Sequence, residues 1–75
     1  MADLILDAKG LNCPLPILRA KKALNSLPSG ATLEVQATDP GAVMDFEAFC
    51  RTTGNELLES RMDGSTYVFL IRHTG

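Results

Sequence analysis

Two hydrophobic rhythms alternate along the chain. Asp3-Leu4-Ile5-Leu6-Asp7 opens a short strand-like run, which predicts a strand over Asp3 to Ala8. From Ile17 to Leu27 the period changes to that of a helix. At 100° per residue, Ile17, Ala20, Leu24 and Leu27 fall on one stripe, the expected core face. Pro28-Ser29-Gly30 breaks this helix. Alternation returns over Thr32 to Thr38: Leu33, Val35 and Ala37 point one way, and Thr32, Glu34 and Gln36 the other. Asp39-Pro40 reads as a helix N-cap followed by proline at the first helical position. The second helix is expected to run to about Thr53, with Gly54 as its stop. Its inward face holds Ala42, Val43, Phe46, Phe49, Cys50 and Thr53; Met44, Asp45, Glu47 and Arg51 are expected to be exposed. Leu57 to Met62 and Tyr67 to Arg72 read as strands, with Asp63-Gly64 as the hairpin signal between them.

The order is β-α-β-α-β-β, without repeat, linker or low-complexity segment. Right-handed βα crossovers can place both helices on one face of a four-stranded sheet. The fold class is therefore α/β (α+β), a two-layer sandwich. At 75 residues the chain reads as a single domain over 1–75, with one core and no room for a deep cleft.

Composition narrows the function. A net charge of -2 gives no general pull toward nucleic acid. Two cysteines are too few for a disulfide scaffold. The first residues carry acids where a signal peptide carries bases, and no apolar run approaches a membrane span. The expected location is the cytoplasm, with both thiols reduced.

The candidate chemistry lies at Cys13-Pro14-Leu15-Pro16, between the first strand and the first helix. Pro14 suits the first helical position, where its missing N–H costs nothing, and Pro16 is tolerated in the first turn. A cysteine at a helix start sits near outward-pointing N–H groups, which predicts a stabilised thiolate and a lowered pKa. The bland reading makes Cys13 a small apolar residue. Cysteine is a poor N-cap beside Ser, Asp or Asn, and this favours a chemical role. A Cys-His hydrolase needs a base, yet the single histidine, His73, reads as an exposed terminal residue on an edge or outer strand. No Cys-x-x-Cys is present, and the scattered cysteines and histidine do not make a zinc site. Chemistry needing one nucleophilic sulfur and a partner survives: thiolate attack on a partner's persulfide would move its terminal sulfur to Cys13.

Neighbouring residues admit two readings each. Leu15, Leu18, Arg19 and Lys22 fall opposite the core stripe, as ordinary exposed residues or as a docking surface beside Cys13. Lys9, Arg19, Lys21 and Lys22 form either a solvated face or a patch attracting an acidic partner or the tRNA end of a larger assembly. Without interleaved aromatics, direct nucleic-acid binding is not expected. Gly10 permits a positive φ or a close approach. Cys50 reads as a buried core thiol, with a resolving role toward Cys13 as the alternative.

The blocks Leu6-Asp7-Ala8-Lys9-Gly10-Leu11-Asn12-Cys13-Pro14-Leu15-Pro16, Thr38-Asp39-Pro40-Gly41-Ala42 with Asp45, and Phe49-Cys50-Arg51-Thr52-Thr53-Gly54-Asn55-Glu56-Leu57 resemble the TusA (SirA-like) family of small sulfur-carrier proteins. The resemblance spans nearly the whole chain. It implies a mixed four-stranded sheet and a persulfide on Cys13, shaped by Gly10, Pro14 and Pro16. Partner docking would fall to Leu15, Leu18, Arg19, Lys22 and Asp45. Sulfur would come from a PLP-dependent cysteine desulfurase or a rhodanese-type protein. It would pass to an acceptor in tRNA 2-thiouridine synthesis, molybdenum-cofactor biosynthesis or sulfur oxidation. The pyridoxal phosphate belongs to the donor, so no cofactor is expected here, and a transient carrier suggests a monomer. One departure is Asp45-Phe46-Glu47, where the family often reads Asp-Ile-Pro. The alternatives are a regulatory or interaction module of the same fold, and a thiol oxidoreductase using Cys13 and Cys50.

Overall fold

The computed structural model describes residues 2–74. Its elements are β1 (Leu4–Ala8), α1 (Leu15–Asn25), β2 (Thr32–Ala37), α2 (Ala42–Thr53), β3 (Glu56–Asp63) and β4 (Thr66–Arg72). The strands form one sheet in the order β1-β2-β4-β3. β1 and β2 are parallel, and β4 runs antiparallel to both β2 and β3, so the sheet is mixed. Both helices pack on one face of the sheet, α1 over β1 and β2 and α2 over β3 and β4. This is the predicted two-layer sandwich. No helix among the described residues is long and apolar enough to cross a membrane.

The core lies between the layers. Alternation delivers Leu33, Val35 and Ala37 from β2, and Phe69 and Ile71 from β4. Ala20 and Leu24 meet them from α1, and Ala42, Phe46 and Cys50 from α2. Phe46 stacks on Phe69 at 4.7 Å between ring centroids and meets Phe49 edge-on at 6.3 Å. Ile17 and Leu27, assigned to the α1 core stripe, are half-buried, and Pro16 is buried with them. Thr53 turns outward from the predicted α2 face.

Several ends move from their expected places. α1 stops at Asn25, because the N–H groups of Ser26 and Leu27 donate to the Ala23 and Leu24 carbonyls at 3.1 and 2.9 Å, a tightened last turn. α2 starts later than the Asp39-Pro40 signal implies. Gly41 is its N-cap residue, and Asp39 accepts the Ala42 N–H through its backbone carbonyl at 2.9 Å. The Asp39 carboxylate is thus free for other work. Gly54, with φ +82°, ends α2 as expected. In the hairpin Asp63 pairs with Thr66, which makes Gly64-Ser65 the two-residue loop. Gly64 has φ +64° and Ser65 does not have a positive φ, the pattern of a type II′ turn. His73 is not on an edge: it follows β4, an inner strand, and is half-buried, exchanging backbone hydrogen bonds with Gly30 and Ala31.

Candidate functional site

Parallel pairing brings the C-terminal ends of β1 and β2 side by side, with Ala8 opposite Ala37. The connections that follow, Lys9–Pro14 and Thr38–Gly41, therefore lie against each other. Gly10 turns the first with φ +81° and donates its N–H to Thr38 Oγ1 at 3.0 Å. Cys13 donates its backbone N–H to Asp39 Oδ2 at 3.3 Å. Asn12 accepts the Leu15 N–H through its carbonyl at 2.8 Å, and the Cys13–Pro14 peptide is cis. The loop bearing Cys13 is thus tied to the residues just beyond β2 before α1 begins.

Cys13 is exposed at one end of a groove of about 470 Å³ between the two helices. Pro14, Ile17, Leu18 and Lys21 line one wall, and Asp45, Ala48, Phe49 and Thr52 the other. The lining is mostly apolar, with Lys21 and Asp45 as its charged groups. Lys9 is turned elsewhere, paired with Asp7 at 2.9 Å and donating to Gln36 Oε1 at 2.9 Å.

The electrostatics reverse one expectation. Cys13 is held above the ordinary thiol range, first by a hydrogen bond to the Asp45 carboxylate, then by desolvation and the charges of Asp45 and Asp39. The helix start does not offset this. Pro14 is the N-cap residue, so Cys13 lies one position outside the helix. At the first helical position the Leu15 N–H is taken by Asn12, and at the second Pro16 has none. Few donors remain for a thiolate, and two carboxylates oppose it.

The proposed site residues divide into groups. Cys13, Pro14, Leu18 and Asp45 share the groove. Gly10, at positive φ in the loop, and Pro16, buried in the first turn of α1, do not line it. Arg19 and Lys22 instead border a separate hollow with Leu6, and Leu15 is exposed at 45% without lining the groove. Asp45, expected to be exposed, is half-buried because it faces Cys13 across the mouth of the groove. Asp39, which accepts the Cys13 N–H, and Lys21, on the α1 wall, stand beside them; in the sequence Asp39 reads as a cap and Lys21 as one member of a basic patch. For Asp39 the signal was an acid directly after the strand, which local pattern assigns to capping. Cys50 is 4% exposed in the core, and burial raises its pKa. Among the described residues, no three His, Cys, Asp or Glu side chains gather as a metal-binding group.

The family model "Sulfurtransferase TusA" matches residues 4–73. The chain is 63% identical over 70 residues to the sulfur carrier protein TusA of Allochromatium vinosum, covering 93% of this chain and 92% of that protein. It is 43% identical over 70 residues to the sulfur carrier protein TusA of Pseudomonas putida, covering 93% and 88%. Its fold matches the crystal structure of a SirA-like protein from Desulfitobacterium hafniense with a TM-score of 0.83 at 26% identity, covering 96% and 99% of the two chains.

Proposed function

Because the chain belongs to the TusA family of sulfur carriers, we propose that it relays sulfane sulfur as a persulfide on Cys13. The observation that carries this reading is an exposed cysteine, fixed by its own backbone N–H, at the open end of a groove between two helices. In loading, the Cys13 thiolate attacks the terminal sulfur of a donor persulfide, R–S–SH. A new S–S bond forms, the donor's S–S bond breaks, and the donor leaves as a thiolate that takes up the proton given off by Cys13. There is no net oxidation. In unloading, an acceptor thiolate attacks the outer sulfur of Cys13–S–SH in the same way.

The donor in this reading is a cysteine desulfurase or a rhodanese-type protein. The acceptor belongs to tRNA thiolation, molybdenum-cofactor biosynthesis or sulfur oxidation. The carrier works in the cytoplasm as a monomer, without cofactor. Leu18 and Asp45 act as docking residues at the groove, with Leu15, Arg19 and Lys22 as an outer contact. A dithiol mechanism has less support, since Cys50 is enclosed by the core.

Intact mass after incubation with a cysteine desulfurase and free cysteine, or with inorganic polysulfide, tests the assignment. The protein is expected to gain one sulfur atom that a reductant removes. Cys50→Ser should retain the gain and Cys13→Ser should lose it. Loading that survives Cys13→Ser overturns the assignment.

A further inference from the structure

We propose that the carboxylates of Asp39 and Asp45 form a lock on Cys13 that selects sulfur partners presenting cationic groups beside their own reactive sulfur. The proposal rests on the sulfur-carrier reading and adds to it a rule for partner choice.

Both acids reach the cysteine, by different atoms. Asp39 accepts the Cys13 backbone N–H at 3.3 Å, which fixes where the residue stands. Asp45 lines the groove with Cys13, and its carboxylate holds the thiol above the ordinary range. The two side chains converge over Gly41, the N-cap of α2: a Cβ there would lie 3.5 Å from Asp39 Oδ2 and 3.9 Å from Asp45 Oδ2. Asp45 stands in the first turn of α2.

The second observation is what these acids lack. The ion pairs among the described residues are Lys9–Asp7, Arg61–Glu59 and Arg72–Glu56, and none includes Asp39 or Asp45. The cation of the groove, Lys21, is on the α1 wall and pairs with neither. A nucleophile that must become an anion therefore stands beside two carboxylates without a bound counter-cation. The missing positive charge can be supplied from outside. A partner that places Arg or Lys at the mouth of the groove offsets both acids and eases loss of the Cys13 proton, whereas an anionic partner meets repulsion. This gives specificity through charge complementarity, strongest at low ionic strength.

Small disulfides of different charge read this field without any protein partner. Cys13 thiolate attacks one sulfur, forms a mixed disulfide and expels the other half as a thiol. Cystamine (cationic), hydroxyethyl disulfide (neutral) and dithiodipropionate (anionic) serve as probes, each rate divided by that of a free cysteine peptide. On the wild-type chain cystamine is expected to react about tenfold faster than the anionic probe at low salt, with the preference shrinking at high salt. In Asp39→Asn/Asp45→Asn the ratio should fall toward one, while the neutral probe reacts several-fold faster. Asp45→Glu should keep the preference. Cys50 is the internal control for folding: it must stay unmodified in every variant, and a variant in which it reacts is replaced by the single Asp45→Asn. Equal rates for the three probes on the wild type, or a preference unchanged in the variants, overturns the lock. Faster reaction of the anionic probe would do so too, and would assign the field to Lys21. A failure of sulfur loading would instead sink the carrier reading, and the probe rates would still decide the lock.

Discussion

At Gly10 the chain leaves β1 with φ +81°, a conformation that costs an L side chain about 1–2 kcal/mol. A Cβ there would have nothing within 4 Å, so the penalty is conformational and not steric. Gly10→Ala is expected to destabilise the fold by about 1 kcal/mol, and Gly10→Asn by less, because Asn tolerates left-handed backbone. Urea unfolding of the pair checks this, and equal stability of Gly10→Ala and wild type would contradict it. The neighbouring bond from the Gly10 N–H to Thr38 Oγ1 makes a second prediction. Thr38→Val keeps the shape and removes the acceptor, at about 0.5–1.5 kcal/mol. It also loosens the loop that carries Cys13. The sulfur-loading rate of Thr38→Val should therefore fall while its Cys50 thiol stays protected; an unchanged rate would mean that Asp39 alone places Cys13.

Among the elements, the inward faces were the most legible. A period of two in β2 and of 3.6 in α2 is set by backbone geometry alone, so Leu33, Val35, Phe46 and Cys50 could be placed in the core from sequence. What periodicity cannot carry is contact between elements. Asp39-Pro40 is a sound local capping signal, yet the Asp39 carboxylate meets a donor 26 residues away, the Cys13 N–H. The helical wheel put Asp45 on the outer side of α2, correctly for that helix by itself. Its half-burial comes from the loop before α1, which no pattern within α2 reports. Arg19 and Lys22 share a face of α1 with Leu18, but the groove opens toward α2 and leaves them beside Leu6, a placement that no pattern within α1 reports. The candidate cysteine could be picked out because its motif is local; the upward shift of its thiol could not, because Asp45 and Asp39, both from beyond β2, contribute to it. Phe46 tests the element scale directly. It is fully buried, stacked on Phe69 from β4 and edge-on to Phe49. Phe46→Ala is expected to cost about 3–5 kcal/mol. In so small a domain that loss would leave much of the chain unfolded at 37 °C, as circular dichroism would show. A loss below about 1 kcal/mol would mean that the two layers close over the gap.

For the molecule as a whole, both thiols bear on how stability follows pH. Cys13 is raised by Asp45, desolvation and Asp39, and Cys50 by burial in the core. A thiol whose pKa is higher in the folded state adds stability in full below its unfolded value. That stability is lost as pH rises through the folded value. The unfolded chain releases its thiol protons near the ordinary pKa of about 8.5. Above that point the folded chain holds protons that the unfolded chain has given up, and the balance moves toward unfolding. The urea midpoint of the wild type is therefore expected to be flat, as far as the thiols govern it, from neutral pH to about pH 8 and to fall above it. Cys13→Ser/Cys50→Ala has no thiols to titrate, so its midpoint should start lower, from the lost core contacts, and fall less steeply over the same range. Parallel slopes for the two proteins would show that the cysteines do not carry the alkaline loss. A shallower slope in Cys50→Ala alone would assign that loss to the core thiol, whose burial is the deeper. Either slope can be read without a sulfur donor, since it depends only on where each thiol stands in the fold.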